Sequence, residues 1–400
     1  MSVQPYKAPA TGRRAAVIGG GAQGLSAAYF LARLGHSPTI FEGLPELGGL
    51  LRKAIPESRL PRDVLDFEIQ EILDLGVEAH TNLAFGRDFS LSWLWEQGYE
   101  VVLTAMGGWD TLLIRGQEGA SAPGLPGIHM LLPLNLAWAS GREVDLGAKV
   151  VLVGCGREIF NAARRCLKKG LDQVTILCNQ PPDRSGIPAE ELARAAEEGI
   201  TVIPQARVVQ LKGIGDRLTE LVFIQGRQSE RSIEADTVIS ASGRLPEVIM
   251  VREPDPEQEE ETVAVSGTEV GWRMLMPYHR PSDRPYDLFY SSEPVSDYWA
   301  VVEAIGAGRR AAASMHKIFS GEDPSEPADM IAPGETLYQV DQLQNLIEAG
   351  PRATMPEADP EERLDPAREV ALGLDRQAAQ AEASRCLNCG LICYYRSKYH

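Results

Sequence analysis

The sequence predicts an α/β fold built around two glycine-rich β–α–β units, and three observations support this. Residues 15–18 and 149–153 are short apolar runs that lead directly into glycine-rich turns, and such runs are typical of buried parallel strands. A helical segment and another apolar run follow each turn. After residue 321 the chain becomes rich in Pro, Glu and Asp, which predicts an extended C-terminal tail.

Length and charge limit the class of protein. The 400 residues suggest two or three structural units rather than a single core. No run approaches the ~20 apolar residues that a membrane-spanning helix needs, and the first residues lack the apolar core of a signal peptide. We therefore expect a cytoplasmic protein without membrane insertion. The net charge of −17 argues against a nucleic-acid partner.

The first unit carries the pattern G-x-G-x-x-G at Gly19, Gly21 and Gly24. In this pattern the first glycine permits a tight turn, the second lets backbone approach a diphosphate, and the third lets helix pack on strand. A helix is expected over residues 26–34. The next strand ends at Glu42, where a carboxylate commonly holds a ribose hydroxyl. Together these features predict a dinucleotide site on a Rossmann-like domain.

The second unit repeats the pattern less completely. Gly154 and Gly156 occupy the first two glycine positions, and Ile159 replaces the third, which weakens the prediction of a ligand. We expect Cys155, between the two glycines, to be a small packing residue rather than a redox thiol.

The end of the last strand in this unit bears on the choice of nucleotide. Asn179 and Gln180 follow it, with neither an acid nor an arginine pair. Because a 2′-phosphate needs arginine nearby, this favours NAD over NADP, although Arg184 keeps NADP open.

Other elements are predicted from apolar periodicity and from the Gly and Pro residues that mark the ends of helices and strands. Further helices are predicted over residues 63–75, 158–169, 188–199, 298–319, 340–349 and 375–385. Further strands are predicted over residues 38–41, 77–81, 99–105, 173–177, 201–203, 208–211, 218–225, 231–235 and 287–293. The apolar face of the helix over residues 63–75 is expected to comprise Val64, Phe67, Ile69, Ile72 and Leu73. The acidic residues 252–261 predict a solvated loop.

Three of the six cysteines lie near the C-terminus, at Cys386, Cys389 and Cys393. In a reducing compartment this spacing indicates a metal site rather than a disulfide. A four-iron cluster usually needs four thiolates, so His400 or a cysteine from a partner would complete it. Zinc with three cysteines and one histidine is an alternative, and reduced cysteines at an assembly interface are another.

In their order, these motifs resemble the FAD- and NAD(P)-binding half of the glutamate synthase small subunit and its relatives, over about residues 13–320. The matching stretches are residues 17–24, 48–51 with 55–61, 105–107, 125–128, 153–164, 187–200, 240–243 and 303–312. Only about a dozen residues precede the first strand, whereas that subunit carries a cysteine-rich domain there. The layout is therefore more similar to the FAD subunit of tungsten-dependent aldehyde oxidoreductase and to the flavoprotein found with carbon monoxide dehydrogenase.

The resemblance implies FAD on the first unit, NAD on the second, and a chain that returns to complete an FAD domain interrupted by the NAD domain. The implied FAD contacts are Gly19, Gly21, Ala22, Gln23, Gly24, Glu42, Gly49, Leu50, Arg62, Ala105, Gly107, Glu293 and Val301. The implied NAD contacts are Gly154, Gly156, Arg157, Glu158, Asn179 and Gly243. The family usually has Gly-Asp where this chain has Ser292-Glu293. The implied divisions are residues 1–107 and 246–321 for FAD, 108–245 for NAD, and 322–400 for a partner-docking tail.

A flavin exchanges electrons both as hydride and singly, and the protein around it supplies position and electrostatics. We therefore predict an FAD-dependent subunit that exchanges hydride with NAD(H) and single electrons with a ferredoxin-like iron–sulfur subunit beside a metalloenzyme catalytic subunit. The sequence has no Ser/His/Asp constellation, and no Cys-x-x-Cys or Cys-x4-Cys follows the first glycine turn, so disulfide reductase chemistry is not expected. The alternatives are an NADPH-oxidising small subunit of glutamate synthase and a non-catalytic nucleotide-binding scaffold or sensor.

Overall fold

The computed structural model describes residues 7–107, 125–171, 173–181, 187–241, 247–253, 270–278, 288–289, 298–324, 351–365 and 368–384. The chain divides into two compact units. The first comprises Met1–Leu50 with Ile69–Ser325, and the second comprises Leu51–Glu68 with Glu326–His400. None of the described helices combines the length and apolar character needed to span a bilayer.

The strands are β1 (Arg14–Ile18), β2 (Ser37–Phe41), β3 (Glu78–His80), β4 (Val101–Thr104), β5 (Ile128–Met130), β6 (Lys149–Val153), β7 (Gln173–Cys178), β8 (Thr201–Pro204), β9 (Ala206–Ile214), β10 (Arg217–Gln225), β11 (Glu230–Glu234), β12 (Thr237–Ser240), β13 (Ile249–Arg252) and β14 (Gly271–Leu275). The α-helices are α1 (Ala22–Arg33), α2 (Leu50–Lys53), α3 (Arg62–Leu73), α4 (Leu91–Glu96), α5 (Leu131–Ala139), α6 (Arg157–Lys168), α7 (Ala189–Glu197), α8 (Tyr298–Ser320) and α9 (Arg376–Ser384).

The first sheet has the strand order β11-β10-β9-β14-β13-β4-β1-β2-β3. In it β1 pairs in parallel with β2 and β4, and β2 pairs in parallel with β3. The remaining neighbours in this sheet pair antiparallel, namely β4 with β13, β13 with β14, β14 with β9, β9 with β10, and β10 with β11. Ile18 is in register with Phe41 and with Thr104, so three carboxyl ends meet at one edge. In open α/β sheets this is the edge at which ligands bind.

The second sheet has the order β5-β12-β6-β7-β8 and is parallel throughout. Val153 at the end of β6 is in register with Leu177 and Ser240. Thus β6 lies between β7 and β12 as β1 lies between β2 and β4. The predicted α/β fold with two Rossmann-like units is confirmed by these two parallel arrangements.

One apolar core joins the two sheets of the first unit. Ile18 on β1, Val153 on β6 and Trp272 on β14 belong to the same cluster of buried side chains. A second cluster lies around α6, where Phe160 and Cys166 are fully buried. Strands that are covered on both faces need apolar side chains throughout, which explains the uninterrupted apolar runs at β1 and β6.

Helix α8 runs beside α1 in the same direction. At Gly308 the two backbones approach so closely that a Cβ would lie 2.3 Å from the Gln23 carbonyl oxygen. Ser26 Oγ donates to the carbonyl oxygen of Ile305 at 2.8 Å. Near the other end of α8, His316 Nδ1 lies 2.8 Å from Nε2 of His36, just beyond α1.

Some expectations from the sequence differ from the structure. On α3 the buried side chains are Leu65 and Ile69, whereas Val64 and Phe67 are 46% and 57% exposed. The expected apolar face is therefore wrong at these two residues, because a stripe four residues apart faces the interior instead. The strand expected over residues 287–293 is a turn at Leu288 and Phe289, and its other residues lie outside the described ranges.

Strands β13 and β14 were not predicted. They insert between β4 and β9, so β9, β10 and β11 join the first sheet although they lie within residues 108–245. The boundaries drawn from the sequence stay predictions. The helix predicted over residues 340–349 lies outside the described ranges, and the helix predicted over residues 375–385 is α9.

The second unit contains short segments tied by backbone hydrogen bonds. Ala358 N–H donates to the Val370 carbonyl at 2.8 Å, and Val370 N–H donates to the Ser58 carbonyl at 3.4 Å. Arg52 forms an ion pair with Asp66. The hydrogen bond from Val370 to Ser58 links residues 51–68 to part of the acidic tail, which is therefore not wholly a linker.

Two buried histidines have lowered pKa values, and we therefore expect the protein to lose stability in acid. Burial, with the nearby His316 and Arg13, lowers the pKa of His36 to about 4, and burial lowers the pKa of His129 to about 4. An unfolded chain binds protons at these side chains below about pH 6.5, while the folded chain resists them. The contribution of these two histidines to stability should therefore be complete above about pH 6.5 and be lost as the pH falls towards 4.

We expect the melting temperature to fall between pH 7 and pH 5, and His36→Gln to reduce that fall because one depressed pKa is removed. The control is His80→Gln, which changes an exposed imidazole on β3. An equal fall in the wild type and His36→Gln would contradict the assigned role of His36. Melting curves at half-unit pH intervals (roughly five points suffice to define the slope) measure this.

Candidate functional site

The first glycine turn begins at the end of β1. Gly19 has a φ of +108°, and a Cβ there would lie 2.4 Å from the Ala105 carbonyl oxygen. Gly19 N–H donates to the Phe41 carbonyl, and Ala105 N–H donates to the Ile18 carbonyl, both at 2.8 Å. Only glycine suits this position, since other side chains would meet backbone and disfavour the positive φ. Gly19 and Ala105, both expected FAD contacts, are therefore brought together.

Gly21 is the N-cap of α1 and leaves open space above the helix. Its φ is −78°, and no side chain caps the helix. A Cβ on Gly21 would meet no atom of the described part of the chain within 4 Å. The first turn, which begins at Ala22, contains no acidic residue. Its N–H groups and the positive end of the helix dipole therefore suit an anionic diphosphate.

Gln23 places an unpaired donor in the same turn. Its side chain is buried, and Nε2 has no hydrogen-bond partner among the residues that the structure describes. A buried polar group without a partner costs about 1–3 kcal/mol, so a ligand acceptor at this point would remove that cost.

Gly24 allows α1 to pack directly on the turn. A Cβ here would lie 1.9 Å from the Gly19 carbonyl oxygen and 3.3 Å from Val17 Cγ1. The third glycine of the pattern therefore has the packing role expected from the sequence.

Glu42 is buried at the end of β2. Its Oε2 accepts from Gly20 N–H, and its Oε1 accepts from Leu44 N–H, both at 2.7 Å. Each carboxylate oxygen can accept a further hydrogen bond, so capacity for ribose hydroxyls remains. The tie between Gly20 and Glu42 was missed from the sequence, because Gly20 is the variable position of the pattern.

A second glycine pair forms a wall of this site. Gly49 has a φ of +49°, and a Cβ on it would lie 3.1 Å from Gly21 Cα. Gly48 N–H donates to the Gly20 carbonyl at 2.8 Å. Leu50, the first residue of α2, is 37% exposed beside this loop. Two backbones in such close contact explain why glycines adjoin at positions 48 and 49.

The start of α8 projects past the start of α1. Gly308 contacts Gln23, and Val301 lies seven residues earlier on α8, which at 1.5 Å per residue is about 10 Å further along the axis. Val301 is half-buried. A ligand that extends from the open space at Gly21 along α8 would reach it.

Three other expected FAD contacts, Arg62, Gly107 and Glu293, stay predictions for different reasons. Arg62 belongs to the second compact unit, which comprises Leu51–Glu68 and Glu326–His400. There its guanidinium donates to the carbonyls of Leu51 and Ile55 at 3.2 and 3.3 Å. Gly107 follows β4 with a φ of +78°. Glu293 lies outside the described residues. Contacts from these residues to FAD stay predictions.

The second glycine turn repeats the backbone pattern of the first. Gly154 N–H donates to the Leu177 carbonyl, and Ala241 N–H donates to the Val153 carbonyl, both at 3.0 Å. A Cβ on Gly154 would lie 2.7 Å from Ala241 Cβ. These four residues correspond to the four that hold the first turn, so the two turns share one geometry.

Helix α6 also begins at an open glycine. Gly156 is its N-cap with a φ of +137°, and a Cβ there would lie more than 4 Å from every other described residue that is not a chain neighbour. Arg157 and Glu158 are exposed in the first turn. Ile159 is buried and belongs to the core around α6, so the turn forms without the third glycine.

Cys155 and Cys178 form a disulfide with a Cα–Cα distance of 5.1 Å. The expectation that Cys155 is only a packing residue is therefore wrong, since the pairing of β6 with β7 brings the two sulfurs together. Asn179 is exposed, and its Oδ1 lies 3.7 Å from Cys155 Sγ. The signal in the sequence is that Cys155 and Cys178 lie just after the ends of two consecutive predicted strands, and only the pairing of these strands joins them.

Some predicted site residues lie outside the described ranges. These are Gly243 and the cysteines Cys386, Cys389 and Cys393. Their nucleotide and metal contacts stay predictions.

The first turn fits the diphosphate and ribose of FAD. The uncapped start of α1, the unpaired Gln23 Nε2 and the Glu42 carboxylate supply complementary groups. The second turn offers the same open helix start, with a disulfide where the first turn has an acid. One compact unit therefore holds two turns that suit dinucleotides.

Several known proteins are similar to this chain in sequence. The beta subunit of an NADP(+)-dependent formate dehydrogenase from Moorella thermoacetica is 29% identical over 401 residues, or 95% of this chain and 55% of that one. The small chain of a glutamate synthase [NADPH] from Halomonas elongata is 31% identical over 262 residues, or 59% of this chain and 54% of that one. The beta subunit of an NADPH-Fe(3+) oxidoreductase from Geobacter sulfurreducens is 27% identical over 428 residues, or 95% of this chain and 62% of that one.

This chain thus spans less than two thirds of the length of these relatives. Residues 13–259 match the sequence pattern of the pyridine nucleotide-disulphide oxidoreductases. Because the match covers more than half of the 400 residues, the chain belongs to the pyridine nucleotide-disulphide oxidoreductase family, whose cofactors are FAD and a pyridine nucleotide.

Proposed function

We propose that this chain is the FAD-dependent electron-transfer subunit of a redox enzyme, exchanging hydride with NAD(H) and single electrons with an iron–sulfur partner. The observation that carries the proposal is the repeated glycine-turn geometry at the ends of β1 and β6 in one compact unit. When bound, FAD supplies the chemistry that links hydride transfer to single-electron transfer.

In this proposal the residues of the chain bind and orient FAD and the pyridine nucleotide. The start of α1 at Gly21 would hold the FAD diphosphate, and Glu42 would hold its ribose. The start of α6 at Gly156 would hold the diphosphate of the pyridine nucleotide. Val301 at the start of α8 would border the distal part of FAD.

The end of β7 supports NAD as the nucleotide. Asn179 and Gln180 carry no charge, so they offer no cation to a 2′-phosphate. The names of the three relatives point instead to NADP or NADPH. The choice between the two nucleotides is therefore the sharpest test of this part of the proposal.

Partner subunits are supported by the relatives. Two of them are named beta subunits and one a small chain, and each is longer than the stretch shared with this chain. The net charge of −17 favours a partner with a complementary basic face, because charge complementarity speeds association.

Anaerobic titration of the FAD-loaded chain with NADH and with NADPH tests the proposal. We expect NADH to bleach the flavin absorbance near ~450 nm, and an added ferredoxin-like iron–sulfur protein to restore it. If neither nucleotide changes the absorbance, the chain is a scaffold or sensor and the proposal is wrong.

A matched pair of variants locates the nucleotide. Asn179→Arg adds a cation at the end of β7, and we expect it to shift preference towards NADPH by about tenfold. Gln173→Arg adds the same charge at the exposed opposite end of β7 and should change nothing. Equal effects of both variants would place the nucleotide elsewhere.

A second candidate is the NADPH-oxidising small subunit of glutamate synthase, favoured by the 31% identity to the Halomonas elongata protein. Preference of the wild-type chain for NADPH, together with electron delivery to a glutamate synthase large subunit, would support it over the first candidate.

A further inference from the structure

The two glycine turns can be compared position by position, because their strands pair in the same register. Ile18 opposite Phe41 corresponds to Val153 opposite Leu177. The next residue along each central strand is a glycine, and the one after it is Gly20 in the first turn and Cys155 in the second. The residue after Phe41 is Glu42, and the residue after Leu177 is Cys178.

In the first turn this pair of positions is joined by a hydrogen bond. Gly20 N–H donates to Glu42 Oε2 at 2.7 Å, and a Cβ on Gly20 would lie 3.5 Å from Glu42 Cβ. Disulfides need Cβ atoms about 3.5–4.5 Å apart. The geometry at this place is therefore suited to a disulfide whenever both residues are cysteine, and in the second turn both are.

The disulfide is accessible from one side. Cys155 is half-buried, whereas Cys178 is 2% exposed. Cys155 also directly precedes Gly156, the N-cap of α6, and contacts Asn179 at the end of β7. The bond thus lies between two segments to which we assign contacts with the pyridine nucleotide.

We propose that Cys155 and Cys178 form a thiol–disulfide exchange site for dithiol reductants, and that the oxidised pair is the form that binds pyridine nucleotide tightly. This inference rests on the proposed function, in which the second turn holds that nucleotide. It assigns to the pair a regulatory role that is separate from electron transfer through FAD.

The exchange is a two-electron step. A thiolate of the dithiol attacks the accessible Cys155 Sγ, forming a mixed disulfide and releasing Cys178 as a thiolate that takes up a proton. The second thiol of the reductant then displaces Cys155, which leaves as a thiolate and is protonated. The reductant becomes a disulfide, and two electrons and two protons reach the cysteine pair.

Reduction should weaken nucleotide binding for a structural reason. In the first turn, the Glu42 carboxylate accepts a hydrogen bond from the N–H of Gly20, the residue at the variable position of the pattern. In the second turn, the disulfide holds the equivalent residue, and no carboxylate is present at that position. Once reduced, the glycines at 154 and 156 can leave the conformation that presents the start of α6, and the nucleotide must order them on binding.

The first experiment identifies the bond in the full chain. Trypsin cleavage after Lys and Arg yields residues 150–157 and 170–184, which hold Cys155 and Cys178. After oxidation with glutathione disulfide, we expect mass spectrometry without reductant to find these two peptides joined. Dithiothreitol should separate them. Two separate peptides in the oxidised sample would overturn the proposal.

The second experiment measures NAD⁺ and NADP⁺ binding by calorimetry to the full FAD-loaded chain, oxidised and then reduced with the reductant removed. We expect the preferred nucleotide to bind about three- to tenfold more weakly to the reduced chain. Cys155→Ser and Cys178→Ser should bind at the reduced level in both conditions. Cys166→Ala is the matched control and should respond as the wild type does, since burial in the α6 core raises the pKa of the Cys166 thiol to about 11 and keeps it unreactive.

The outcomes separate the two proposals. Equal affinity in the oxidised and reduced chain would overturn the exchange site while leaving the proposed function in place. Tighter binding by the reduced chain would overturn the assigned direction and with it the proposal. Failure of both nucleotides to bind in either state would overturn the exchange site and the proposed function together.

Discussion

Gly21→Ala should remove FAD from the chain without unfolding it. Within the described ranges, a Cβ on Gly21 meets no protein atom within 4 Å, and the φ of −78° suits any residue. The added methyl would instead occupy the space above the start of α1, where the diphosphate would lie. Loss of hydrogen bonds to a charged group costs about 1.5–3 kcal/mol each, so we expect FAD affinity to fall on the order of 100-fold.

The matched control for this change is Gly24→Ala, three residues further on. Here the Cβ would lie 1.9 Å from the Gly19 carbonyl oxygen, so the helix must move from the strand and the apo chain should lose stability. FAD content of the purified chain, with melting curves of the apo form, measures both effects. If Gly21→Ala retains FAD at wild-type affinity, the first turn is not the FAD site.

Gly308→Ala should destabilise the whole first compact unit, which comprises Met1–Leu50 and Ile69–Ser325. The new Cβ would lie 2.3 Å from the Gln23 carbonyl oxygen and 2.8 Å from Ala27 N. Both are backbone atoms of α1 that cannot rotate away, so α8 must separate from α1. Overpacking of this kind costs about 1–3 kcal/mol or more, and α1 carries the proposed FAD contacts. We therefore expect a lower melting temperature and weaker FAD binding together.

Gly306→Ala tests whether the effect comes from the helix crossing or from the loss of any glycine on α8. Of the residues that the structure describes, its Cβ would meet only Arg310, at 3.1 Å from Nη1, which is the end of a flexible side chain. Alanine is favoured over glycine in helices by about 1 kcal/mol, so this variant should be as stable as the wild type or more so. Equal destabilisation by Gly306→Ala and Gly308→Ala would show that the close approach of α8 to α1 at Gly308 is not the cause of the lost stability.

Both glycine turns were predictable from the sequence because their requirements are local. The positive φ of Gly19, the open N-cap at Gly21 and the tight packing at Gly24 each depend on residue type within one strand–turn–helix segment. The same holds for Gly154 and Gly156, and there the replacement of the third glycine by Ile159 was tolerated by the core.

Prediction was less reliable where an element faces distant partners. The helical periodicity predicts α3 and the burial of Ile69, but Val64 and Phe67 on the expected apolar face are exposed. The insertion of β13 and β14 beside β4 depends on antiparallel pairing between segments far apart in the chain, which local patterns do not specify.

Local stereochemistry specifies two glycine turns, the strands that lead into them and the carboxylate at Glu42, and all of these can be recognised from adjacent residues in the chain. The tertiary structure alone decided that Ser26 bonds to Ile305, 279 residues away, that Glu42 ties down Gly20, and that Cys178 reaches Cys155. Such contacts depend on which strands pair and how helices cross, and those choices are made by burial of the whole core rather than by neighbours along the chain.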